Sequence, residues 1–147
     1  MRSFLDTNLL VYADAGDAPD KQHIAIELIK QHRAEATGVV SAQVLQEYVN
    51  VALRKLALPH ALVRDRLELY ARFEVVPTSP ESIARALDLH AARSFAFYDA
   101  LIFQAAIQSG CTQLLSEDLQ HGLVLGGLKV INPFAGLATP RRLRGRA

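Results

Sequence analysis

Short apolar runs alternate along this chain with longer stretches in which apolar residues recur every three or four positions. Five runs read as short strands: Ser3-Phe4-Leu5, ending at Asp6; Thr37-Gly38-Val39-Val40; Val75-Val76; Leu114-Leu115-Ser116; and Leu128-Lys129-Val130-Ile131, stopped by Pro133. The stretches between them carry helical periodicity. Asp17-Ala18-Pro19-Asp20 opens a helix with its proline in the first turn, and Ile24, Leu28 and Ile29 continue it. Ser41 suits the N-cap of a helix whose apolar stripe is Leu45, Tyr48, Val49, Ala52, Leu53 and Leu56. Pro59 ends that helix and opens another through Leu62, Leu67, Leu69 and Tyr70. Ser79-Pro80-Glu81 caps a helix bearing Ile83, Leu87 and His90. Tyr98 to Gln108 is a strongly apolar helix closed by Gly110.

Strands that alternate with helices predict a single α/β domain, with a mainly parallel central sheet of about five strands and helices on both faces. Reactive groups in such folds gather where strands end at their carboxyl side. Asp6 follows the first strand directly and Asp118 the fourth, in Leu115-Ser116-Glu117-Asp118, so both carboxylates stand on one rim if those strands are parallel neighbours. Asp99 opens the apolar helix beside its buried face, where a lone anion is costly. A helical wheel sets Glu47 at the edge of the apolar arc, flanked by Val44 and Val51, with Gln43 and Asn50 on its face. Carboxylates converging on one rim repel each other, and a hard cation such as Mg²⁺ or Mn²⁺ resolves that conflict. Each acid alone also has a structural use: Asp6 and Asp118 as turn or cap residues, Asp99 against a helix dipole, Glu47 as a solvated side chain beside Arg54. Thr7 and Asn8 bond a phosphate, orient Asp6 or simply form the turn after it. Ser116 is a candidate supporting donor, and Glu117 competes with Asp118 as fourth acid.

Composition narrows the field. The chain has 147 residues, 50% hydrophobic and 21% charged, which suits one globular domain. A single cysteine, Cys111, excludes a disulfide framework and a multi-thiolate zinc site, and reads as a buried core residue of a reducing, cytoplasmic compartment. The longest charge-free run, Ala100 to Ser116, spans 17 residues and contains Gln, Ser and Gly, so no membrane partner is expected. Charge is uneven. Arg141, Arg142, Arg144 and Arg146 close the chain, and without them 12 basic residues face 15 acidic ones. Residues 135–147 read as a basic, flexible tail that suits contact with nucleic acid or simple solubility, after a domain of residues 1–134. The phosphate-loop spacing and the Gly-x-Ser-x-Gly elbow are both missing from the sequence.

Four segments in order, Phe4-Leu5-Asp6-Thr7-Asn8, Ser41 to Tyr48, Phe97-Tyr98-Asp99-Ala100-Leu101-Ile102 and Leu115-Ser116-Glu117-Asp118-Leu119, resemble the PIN domain family, and within it the VapC-type toxin ribonucleases. The resemblance implies that Asp6, Glu47, Asp99 and Asp118 are the metal-binding, catalytic acids. It implies Mg²⁺ or Mn²⁺ as cofactor, RNA as substrate, an antitoxin protein as partner and a homodimer. Water activated by the metal would attack the phosphodiester in line, leaving 5′-phosphate and 3′-hydroxyl ends. A solitary RNA-processing nuclease and a non-catalytic RNA- or protein-binding module of this family are the alternatives. A haloacid-dehalogenase-like phosphatase wants a second aspartate where Asn8 stands. A receiver domain wants adjacent acids after the first strand and a lysine that only Lys129 offers.

Overall fold

A computed structural model describes residues 1–137, so the four arginines of the basic tail lie outside the described residues. The order of elements is β1 (Ser3–Leu5), α1 (Thr7–Ala13), α2 (Pro19–Glu35), β2 (Gly38–Ser41), α3 (Ala42–Arg54), α4 (His60–Tyr70), β3 (Glu74–Val76), α5 (Pro80–Arg93), α6 (Phe97–Gln108), β4 (Gln113–Leu115), β5 (Val124–Leu125) and β6 (Leu128–Ile131). The strands form one sheet in the order β3-β2-β1-β4-β6-β5, parallel throughout except for β5 against β6. The sheet therefore has six strands rather than five. The sixth is the two-residue β5, which returns to β6 through a turn holding Gly126 at φ 62°. It is too short to leave a periodic signal.

Successive residues on a strand point to opposite faces of the sheet. Phe4 and Leu5, Val39 and Val40, and Leu114 and Leu115 are all buried, so helices cover both faces of β1, β2 and β4. The predicted caps hold. Ser41 Oγ accepts from Val44 N at 3.2 Å and starts α3, while Ser79 and Ser82 form a reciprocal capping box at the head of α5. Pro19 is the first residue of α2, and Gly110 follows α6 at φ 74°. Cys111 is buried, as expected. One reading is corrected. Thr7 and Asn8 do not form a turn but begin α1, a seven-residue helix with Asp6 as its N-cap and Leu9 and Leu10 buried beneath it.

The sheet fans out from its middle. From β1 the chain moves to β2 and then β3 on one side, and to β4 and β6 on the other. The crevice at the carboxyl ends of β1 and β4 is thus a topological switch point, where open α/β sheets take their ligands. Leu5 pairs with Leu115, so the residues just beyond, Asp6 and Ser116, are neighbours on that rim.

Candidate active site

Asp6 is positioned by three features of its surroundings. Its backbone N–H donates to the Leu115 carbonyl at 3.1 Å, extending the β1–β4 ladder by one step. One carboxylate oxygen accepts from the Thr7 N–H at 2.8 Å, the N-cap bond of α1, and the other accepts from the Ser116 hydroxyl at 2.8 Å. The side chain is nonetheless buried, with the residue only 7% exposed. Burial raises its pKa, the two hydrogen bonds oppose that, and the nearby charges of Glu47 and Asp118 add to it. The net result is a carboxyl pushed up to about 6.

The side chains around Asp6 form a connected polar net. Thr7 Oγ1 donates to Glu47 Oε1 at 2.7 Å, which ties α3 to α1, and Gln43 donates to the other Glu47 oxygen at 3.4 Å. The Asn8 amide donates to Ser116 Oγ at 3.2 Å and to Asp118 Oδ2 at 3.3 Å, and its carbonyl accepts from the Glu117 N–H at 3.1 Å. Ser116, fully buried, also accepts from the Asp118 N–H at 3.1 Å. Thus Thr7, Asn8 and Ser116 all serve the acids directly.

Asp99 enters from the first turn of α6. Its pKa is raised, by partial burial first and then by the charges of Asp118 and Glu47. The charges of Glu47 and Asp118 thus act on both Asp6 and Asp99. All four, with Thr7, Asn8 and Glu117, line one groove of about 490 Å³ whose wall also includes Gln43, Asn50, Lys55 and Tyr98. Glu117 differs from its neighbour. Its carboxylate is taken up by the Lys21 ammonium and the Tyr12 hydroxyl, whereas Asp118 is exposed and accepts only the long Asn8 bond. His121 stands apart: its Nδ1 accepts from the Asn132 N–H at 2.9 Å and fastens a loop.

Lys21, Tyr12 and Lys55 were not legible as site residues. Lys21 meets Glu117 across 96 positions, which no local pattern reveals. Lys55 did leave a signal, since it lies two turns beyond Glu47 on the same helix face.

The donor set suits a hard divalent cation. It is made of carboxylate oxygens, free of thiolates and of paired imidazoles, and the charges of Glu47 and Asp118 raise the pKa of both Asp6 and Asp99. Among the described residues, no three His, Cys, Asp or Glu side chains are already drawn together as one ion's ligands.

The family model described as PIN domain matches residues 3–122, and the chain belongs to that family. Solved structures with the same fold include a toxin–antitoxin complex from Klebsiella pneumoniae. It is 19% identical, with a TM-score of 0.62 over 89% of this chain and 97% of that one. VapC20 of Mycobacterium tuberculosis, described as a sarcin–ricin-loop-cleaving toxin, is 21% identical, with a TM-score of 0.60 over 79% and 91%. VapBC2 of Rickettsia felis, bound to a DNA fragment from its promoter, is 22% identical, with a TM-score of 0.60 over 88% and 97%. No curated protein matches the sequence.

Proposed function

We propose that this protein is a metal-dependent endoribonuclease of the VapC type, the toxin of a toxin–antitoxin pair. The observation that carries the reading is the convergence of Asp6, Glu47, Asp99 and Asp118 on one groove at the switch point, with Asp6 and Asp99 both held above the ordinary carboxylate range. Asp6 and Asp99 would hold Mg²⁺ or Mn²⁺, with Glu47 and Asp118 completing the set. Asp118 rather than Glu117 is the fourth acid in this reading, because Lys21 and Tyr12 already occupy Glu117. A bound divalent ion supplies charge for the scissile phosphate and lowers the pKa of a coordinated water. Ser116 and the Thr7 N–H fix the Asp6 carboxylate, and Thr7 and Gln43 fix Glu47, so the donors are oriented in advance of any ion.

The same reading includes a homodimer, cytoplasmic RNA as substrate and a cognate antitoxin. VapBC2 and the Klebsiella structure are toxin–antitoxin assemblies, which supports the last of these. No helix among the described residues is long and apolar enough to cross a membrane. The test is RNA cleavage with Mg²⁺ or Mn²⁺ and with EDTA. We expect cleavage only with metal, leaving 5′-phosphate and 3′-hydroxyl ends, and its loss in Asp6→Asn and Asp99→Asn. Full activity in both variants would sink the assignment. Growth arrest on expression, relieved by a co-expressed antitoxin, tests the toxin role separately from the nuclease.

A further inference from the structure

The groove is longer than the acid cluster needs. One face of α3 forms its wall, with Gln43, Glu47, Asn50, Val51 and Lys55 recurring at helical spacing. From Gln43 to Lys55 that wall runs about 18 Å at the rise of an α-helix. One strand of a stacked duplex spaces its charges about 3.4 Å apart along the axis, and an extended single strand spaces them more widely, so the wall spans a few nucleotides. Glu47 lies about 6 Å along it from Gln43 and about 12 Å from Lys55, and each end carries a side chain that the catalytic net does not use.

At one end is Lys55, the C-cap residue of α3. Among the described residues it is the only cation lining the groove, and it forms no ion pair. At the other end is Tyr98, which is 68% exposed although it directly precedes Asp99. Its ring stands edge-on to Phe97 at 5.6 Å, and its carbonyl accepts from Gln43 Nε2 at 3.4 Å, which holds it at the Gln43 end. A large ring with open surface beside an acid groove offers a stacking face that any base can use. A lone cation at the far end offers a phosphate contact that offsets part of the repulsion between the acids and an RNA backbone.

We propose, on the nuclease reading above, that the groove is a track for single-stranded RNA in which Tyr98 stacks a base on one side of the scissile phosphate and Lys55 holds a backbone phosphate on the other. Paired bases cannot reach Tyr98, so the track selects single strands over duplex. A cation at a helix C-terminus also complements the helix dipole, so Lys55 has a purely structural alternative that the experiment must separate.

The experiment uses the full chain carrying Asp99→Asn, in Mg²⁺, with a short unstructured RNA containing a fluorescent adenine analogue. Tyr98→Ala should weaken binding about 5- to 150-fold and abolish stacking-induced quenching, while Tyr98→Phe keeps both. Lys55→Ala should make the slope of log affinity against log salt shallower by about 0.7, and Lys55→Arg should restore it. Duplex RNA of the same sequence should bind more weakly than the single strand. An unchanged slope in Lys55→Ala, accompanied only by a lower melting temperature, would leave Lys55 with the dipole role and overturn its part. Unchanged quenching in Tyr98→Ala, or equal duplex binding, overturns the track. Cleavage of total cellular RNA by the wild type is run alongside. If that cleavage occurs while the binding arms fail, only the track falls; if it is absent with every metal tried, the nuclease reading falls and the track with it.

Discussion

Asp6 sets two opposing effects against each other within one side chain. Two hydrogen bonds favour its anion, yet burial and the charges of Glu47 and Asp118 win, and the carboxyl rises from 3.8 to about 6. The native state therefore binds this proton more tightly than the unfolded chain does. Stability falls as pH rises through the interval between those values and is flat above it. We expect metal-free protein to lose at most about 3 kcal/mol over that interval. Urea midpoints taken across it should show the loss in wild type and not in Asp6→Asn. Mg²⁺ affinity should run the other way, rising with pH until Asp6 of the metal-free protein has lost its proton at about 6, because a protonated Asp6 is a poor ligand. Thr7 gives a second prediction at this scale. Its hydroxyl bond to Glu47 is charge-assisted, and such bonds contribute about 1.5–3 kcal/mol. Thr7→Ala should lower kcat/KM by roughly 10-fold or more, with Thr7→Ser restoring most of it. An unaffected Thr7→Ala enzyme would show that Glu47 needs no orienting.

Between elements, what the sequence made legible depended on how far each signal reached along the chain. Caps are local, so Ser41, Pro19 and Ser79 were readable as such. Alternation made a mainly parallel sheet readable but not which strands are neighbours; the pairing of β1 with β4, which brings Asp6 beside Ser116, is seen only in the fold. Helix α1 was missed because its first residues, Thr7 and Asn8, favour turns, and its cap is the acid already assigned to chemistry. The buried anchor at its far end was equally hidden. Asp14 accepts from Arg66 Nε at 2.9 Å and from the Tyr48 hydroxyl at 2.5 Å, and both partners are distant in sequence. Gly38 is another long-range constraint. A Cβ there would meet Phe73 ring carbons at 2.6 Å and His32 Cβ at 3.2 Å, so β2 begins with glycine because the chain entering β3 packs against its backbone. Gly38→Ala should cost about 1–3 kcal/mol by overpacking. Adding Phe73→Leu should recover part of that, and denaturant unfolding of the four proteins in the cycle measures the coupling. Purely additive losses would place the strain somewhere other than the ring.

For the molecule as a whole, the acid rim makes the fold and the site compete. An Asp in the first turn of α6 gains about 0.3–1 kcal/mol from the helix dipole. Against this gain stand burial and repulsion from Asp118 and Glu47, which raise the pKa of Asp99. The metal-free protein therefore carries an electrostatic cost that a cation should relieve, by binding the native state and not the unfolded chain. Mg²⁺ at about 100 times its dissociation constant stabilises by about 2.7 kcal/mol, which for a chain of this size is a rise of roughly 5–10 °C in melting temperature. Asp99→Asn removes one charge from the crowd, so its melting temperature in EDTA should exceed that of wild type, and the increment on adding Mg²⁺ should shrink or vanish. The two readings of Asp99 thus differ in sign. If it served only to complement the α6 dipole, the variant would melt lower in EDTA and Mg²⁺ would act on both proteins alike. Thermal melts of the two proteins, each in EDTA and in Mg²⁺, decide between a helix-capping charge and a carboxylate held in place for a cation.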